Sequence, residues 1–145
     1  VDALTDERGQ ALVVAVLLIA IAAVAIGGLR LAQERIFLSS REHRAGEAAA
    51  EAAAAVLADA YAAELRRVAA SSAAPRPTPD VPRALREPTV RENARAAASD
   101  MSERNSGPPI AEIAVRCANG SAEAAIVVSG RSYRAGFHAP LCSQR

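Results

Sequence analysis

Few side chains in this sequence could do chemistry, and the two cysteines are the clearest of them. Cys117 and Cys142 have 24 residues between them and neither sits in a Cys-x-x-Cys motif, so the spacing is not that of a metal-binding pair. Pairing them would tie the C-terminal tail back to an upstream strand and, on the chain-entropy view of loop closure, contribute about 3.5 kcal/mol. Two readings stay open: a structural disulfide made in an oxidising compartment, or two ordinary thiols in a reducing cytosol. His43 and Glu47 stand at i and i+4 on a helical pattern and could share an ion, but no third ligand accompanies them. His138 lies in a loop-like tail beside Pro140 and reads as solvated surface. Glu47, Glu51 and Asp59 alternate with arginines along one helical stretch, the pattern of a solvated face with weak ion pairs. None of the eight glycines has the spacing of a phosphate-binding or dinucleotide-binding loop. The sequence therefore predicts no catalytic residue, no metal site, no cofactor and no small-molecule substrate: a protein that is not an enzyme.

Composition narrows the remaining classes. The chain has 145 residues, enough for one small domain. A formal net charge of +1 argues against a nucleic-acid binder, which carries a strong basic excess. Alanine supplies 37 residues, lysine none, and aromatics only 3%. Beyond Ala70 only thirteen larger apolar side chains remain, a thin supply for a self-sufficient core.

The apolar residues are concentrated at one end. Every residue from 11 to 29 is Ala, Val, Leu, Ile or Gly, with Arg8 and Arg30 the nearest charges. Nineteen residues at about 1.5 Å rise span about 28 Å, close to the hydrocarbon thickness of a bilayer. A buried core helix would show a polar stripe, and this segment has none. It is also longer than the apolar stretch of a cleaved secretory signal, and its leader is acidic rather than basic. The segment reads as a membrane-spanning helix over residues 10–30, preceded by a leader-like segment over residues 1–9. Gly27 and Gly28 offer a small-residue surface for lateral helix packing in the membrane. Orientation is contested. Arg30, Arg35, Arg41 and Arg44 follow the span and only Arg8 precedes it, which favours a cytoplasmic C-terminal part; a disulfide would put that part outside.

No proline occurs before Pro75, so the helix can continue past the membrane as an Ala-rich stalk over residues 31–72. Ala50, Ala54, Leu57, Tyr61, Leu65 and Val68 recur at spacings of four, three, four, four and three, one face of an α-helix. A bend at Gly27–Gly28 or Ser39–Ser40 is the competing reading, but Gly alone does not break a helix. Residues 73–88 hold Pro75, Pro77, Pro79, Pro82 and Pro88 and read as a stiff linker. Thr89 and Glu92 have capping-box spacing ahead of a short helix with Val90, Ala94, Ala97, Ala98 and Met101 on its apolar side, ended near Gly107. Alternation from Ile110 to Cys117, an Asn119-Gly120 turn, a second strand over residues 122–129, a turn at Gly130-Arg131 and a third strand over residues 132–137 predict a β-meander. The fold class is α+β: a long N-terminal transmembrane and stalk helix, then a small head, residues 89–145, of one short helix and a three-stranded antiparallel sheet.

The opening Asp6-Glu7-Arg8-Gly9-Gln10-Ala11-Leu12-Val13, followed at once by the apolar span, resembles the TadE/TadG-like group of Tad (tight adherence) pilus assembly proteins, the minor pilins and pseudopilins. Leu31-Ala32-Gln33-Glu34-Arg35 and the Ala-rich tract over residues 44–60 are similar to that family's junction, and the strands around Cys117 to its β portion. The resemblance implies a pilin-like, single-pass protein of the cytoplasmic membrane with its head outside. Its partners would be other pilin-like subunits and the platform proteins of a Flp-type pilus or secretion machine. It also implies a leader-peptidase cut between Gly9 and Gln10. With Gln10 as first mature residue the fifth is Val14, where cleaved pilins carry Glu, so a filament subunit and a membrane-resident assembly factor both stay open. The rival class is a signal-anchored extracellular binding module unrelated to pili.

Overall fold

A computed structural model of the chain describes residues 4–75 and 77–142, with side chains from residue 12 onward. The element order is α1 (Leu4–Ala69), α2 (Val81–Leu85), α3 (Pro88–Arg104), β1 (Ile110–Ala118), β2 (Ser121–Val128) and β3 (Arg131–His138). The expected α+β layout is present, and α1 is one uninterrupted helix of 66 residues with no break at Gly27–Gly28 or Ser39–Ser40. Strong helix formers outweigh the roughly 1 kcal/mol that each interior Gly costs. The chain divides into two compact units, Val1–Ser40 and Arg41–Arg145.

Among its described residues the first unit is helix alone. From Leu12 to Leu38 its large apolar side chains are all exposed, from 54% at Val14 to 76% at Val24.

The second unit holds the core. Its sheet runs in the order β1-β2-β3, all antiparallel. Register aligns the inner face in rows: Cys117 with Ala122 and Phe137, Val115 with Ala124 and Ala135, Ile113 with Ile126 and Tyr133. A bulge between Ile110 and Glu112 brings Ile110 onto the same face, where it is buried opposite Val128. Both hairpins have two-residue turns with positive φ at each central position, Asn119-Gly120 as expected and Ser129-Gly130 in place of Gly130-Arg131. That pattern is the type I′ turn, whose twist matches the strands.

Ala45, Ala49, Ala50, Ala53, Ala54 and Leu57 of α1 are buried against this core. Three of them, Ala50, Ala54 and Leu57, belong to the expected stripe; Tyr61, Leu65 and Val68 are only half-buried. Small side chains let the helix axis approach closely. At Gly46 an added Cβ would lie 2.5 Å from Cε2 of Tyr133, so this position tolerates no larger residue without moving a buried ring.

Three local expectations are corrected. Residues 73–88 are not simply a linker, because α2 forms within them and buries Val81 and Leu85 completely. Pro82 sits in the first turn of α2, where a missing N–H costs nothing, and the Asp80 carboxylate accepts from the N–H of Arg83 at 3.2 Å. Thr89 and Glu92 do not make a capping box. The N-cap lies two residues earlier, at Glu87, which makes no side-chain hydrogen bond, and Pro88 stands in the first turn. At the other end of α3 the left-handed residue is Ser106, φ +55°, not Gly107. The N–H of Gly107 donates to Ser102 O at 2.8 Å and that of Ser106 to Glu103 O at 2.9 Å, a Schellman closure. Gly107 is required for space instead: a Cβ there would lie 2.5 Å from Cβ of Ala45 and 2.6 Å from Oγ of Ser102.

Candidate functional site

The residues with chemical potential fall in three places. The cysteines are joined, Sγ to Sγ 2.04 Å, with Cα atoms 4.8 Å apart. The local backbone delivers them to one another. After β3 the buried Ala139 donates to Gly120 O at 2.8 Å, and the N–H of Gly120 donates to Cys142 O at 2.9 Å. The tail therefore docks on the first hairpin turn, which lies three residues past Cys117. Cys142 is fully buried, and a thiol pair here acts as a staple rather than a reactive group. His138 is exposed, as expected for solvated surface, but it is the last residue of β3, paired with Ser121, and not part of a loop.

His43 and Glu47 do meet, Nε2 to Oε1 at 3.2 Å, but both side chains are more than half exposed and the pair is worth little. The His43 ring also lies 5.6 Å from that of Tyr133, so its role is packing at the margin of the core. Among the described residues no three His, Cys, Asp or Glu side chains gather closely enough to hold a metal ion.

The most strongly perturbed group is one that periodicity did not single out. Glu64, only 9% exposed, accepts both Nε and Nη2 of Arg67 at 2.7 Å and the N–H of Asp80 at 3.0 Å. The Arg67 guanidinium is the main cause that pulls this carboxyl from the ordinary 4.5 to about 2, and the Asp80 N–H adds to it against the opposing effect of burial. The arrangement fastens the segment entering α2 to the end of α1. A Glu three residues before an Arg is a common surface pair; only the fold shows that this one is buried and holds a backbone amide.

A depressed native pKa means that the ionised carboxylate stabilises the fold above the unfolded value near 4.5, and that this contribution disappears as pH falls toward about 2. Glu64→Gln in the full chain in detergent should cost about 1–2 kcal/mol at neutral pH, the range for a charge-assisted bond partly screened by solvent. The gap between variant and parent should close between those two pH values in denaturant unfolding curves. A gap independent of pH would mean that the carboxylate charge contributes nothing.

Along the β1 edge, an open cleft is lined by Arg91, Glu92, Arg95, Ala111, Glu112 and Ile113. Arg95 Nη2 donates to Ile110 O at 3.3 Å and Ala111 O at 3.4 Å, which covers edge carbonyls at the bulge. The cleft is thus part of how the sheet edge is closed.

The remaining feature is α1 itself. It contains a helix long and apolar enough to cross a membrane, and none of its most apolar stretch is buried. Monomers in water rarely expose an apolar surface of this extent, and its length is compatible with a single-pass membrane anchor. At Gly27 and Gly28 nothing lies within 4 Å of where a Cβ would stand. Gly9 and Gln10 fall in the helical backbone of α1, and the Gln10 side chain lies outside the described residues. No family model, curated protein or solved structure matches the chain.

Proposed function

We propose that this chain is a membrane-anchored, pilin-like component of a Tad/Flp-type pilus assembly or secretion machine, and that it works structurally. The single observation that carries the reading is the wholly exposed apolar stretch of α1, which continues as the same helix into an Ala-rich face. The first suits lipid. The small residues of the apolar stretch itself suit close helix packing with neighbouring subunits, with Gly27 and Gly28 as the nearest-approach positions in the membrane; the Ala-rich face beyond it packs on the chain's own core. The paired cysteines suit a head in an oxidising compartment, outside the cytoplasmic membrane, against the arginine count that favours the opposite orientation. The resemblance of residues 6–13 to the TadE/TadG-like opening supplies the pilus context. In that context the partners are the membrane, other pilin-like subunits and the platform proteins.

Intact mass of the protein taken from its native membrane, with and without reductant, tests the reading. The expected result is a membrane-bound chain that gains one hydrogen per cysteine on reduction. A chain beginning at Gln10 would add leader cleavage. A chain recovered free of membrane, or with both thiols already reduced, overturns the proposal. Crosslinks concentrated within residues 11–68 support assembly through the helix; crosslinks confined to residues 110–145 favour the binding-module reading instead.

A further inference from the structure

The exposed apolar surface of α1 does not stop where its uninterrupted apolar run stops. After Leu29 come Arg30, Gln33, Glu34 and Arg35, and then Ile36, Phe37 and Leu38, which are 69%, 71% and 61% exposed. Successive residues on an α-helix point about 100° apart, so these three side chains spread over roughly 200° of its circumference. A single docked element covers one side of a helix. A ring of this kind needs a surround.

Length says which surround. Residues 11–29 span about 28 Å, the hydrocarbon layer alone; residues 12–38 span about 40 Å, hydrocarbon plus headgroup regions. With Leu12 at one lipid–water boundary, Ile36, Phe37 and Leu38 reach the other. Arg30 and Arg35, both exposed, lie in the turns just before them. Their stems can run along acyl chains while the guanidinium groups, always charged, meet phosphate oxygens in bidentate geometry.

We propose that residues 30–38 form an interfacial collar, in which Ile36, Phe37 and Leu38 enter the lipid boundary layer and Arg30 and Arg35 bind lipid phosphates. The collar rests on the membrane reading above. It gives the arginines after the span a task in the headgroup layer that does not depend on which leaflet they face, and so removes their conflict with an external head.

The chain has no Trp, so Phe37→Trp and Leu18→Trp each introduce a lone fluorophore into the full protein. Each variant is reconstituted into phosphatidylcholine/phosphatidylglycerol vesicles with brominated acyl chains. The expected result is strong quenching for Leu18→Trp by the acyl-chain bromines, and blue-shifted emission quenched by shallow bromines for Phe37→Trp. Adding Arg30→Gln and Arg35→Gln should shift the Phe37→Trp emission to the red and reduce its quenching; no change there would overturn the role of the arginines. If Leu18→Trp is quenched while Phe37→Trp emits as in water, the collar is wrong and the anchor stands. Blue-shifted but unquenched emission from Phe37→Trp means that protein covers the ring, which also overturns the collar. Absence of quenching at Leu18→Trp defeats the membrane reading itself.

Discussion

Replacing Cys142 and Cys117 with serine is expected to destabilise the second unit by about 3.5 kcal/mol, the loop-closure value for a separation of 25 residues. The effect is large because the core it supports is thin. Alanine accounts for most of the buried apolar positions, and a buried Ala contributes far less area than Leu or Ile. Domains of this size have total stabilities of only about 5–15 kcal/mol. The hydrogen bonds of Gly120 with Ala139 and Cys142 lie beside the staple and would be left to hold this segment without it. Amide hydrogen exchange of the full chain in detergent is the suitable measurement, since α1 dominates any helix signal. Protection in β2 and β3 should fall by two to three powers of ten, as about 3.5 kcal/mol requires at 1.4 kcal/mol per decade. Unchanged protection in both strands would show that the staple is redundant.

Leu57→Ala is expected to cost about 2–5 kcal/mol. Leu57 is, with Leu85, among the largest fully buried side chains of the core, and the other buried apolar side chains of α1 are alanines. With so many small neighbours, little is available to swing into the vacated space, which places the cost toward the upper end of that range. Leu57→Met keeps the volume and should cost less than about 1.5 kcal/mol. Leu31→Ala, at a side chain 64% exposed in the first unit, should leave the unfolding of the second unit unchanged. Denaturant unfolding of the three variants in one detergent separates these cases. Equal losses at positions 57 and 31 would refute the placement of the core. Leu57 and Cys142 belong to the same buried cluster, so the triple variant should depart from additivity.

Much of the architecture was legible in the residues because its signals are local. A run without polar atoms can only be a lipid-facing or wholly buried helix, and its length matched a bilayer. Period-two alternation and Asn-Gly gave the first hairpin, since a left-handed pair of turn residues is a property of the dipeptide. The absence of proline before Pro75 allowed one helix from end to end. The second turn shifted by one residue because Ser129 adopts positive φ, which its side chain type does not announce.

The remainder depended on what approaches from elsewhere in the chain. Five prolines masked α2, because Val81 and Leu85 look isolated until a core is there to receive them. Gly46 and Gly107 look like weak points of a helix and a turn; both are contact points, fixed by the ring of Tyr133 and by Ala45. Glu64 reads as one more surface acid until the amide of Asp80, sixteen residues on, turns it into a clamp. The sequence by itself determined every element but α2 and that one of them suits a membrane, since hydropathy, turn chemistry and helix propensity act within a few residues. Only the tertiary structure decided which alanines are core, that the two cysteines meet and where the buried carboxylate sits, because those depend on distances between segments that are remote along the chain.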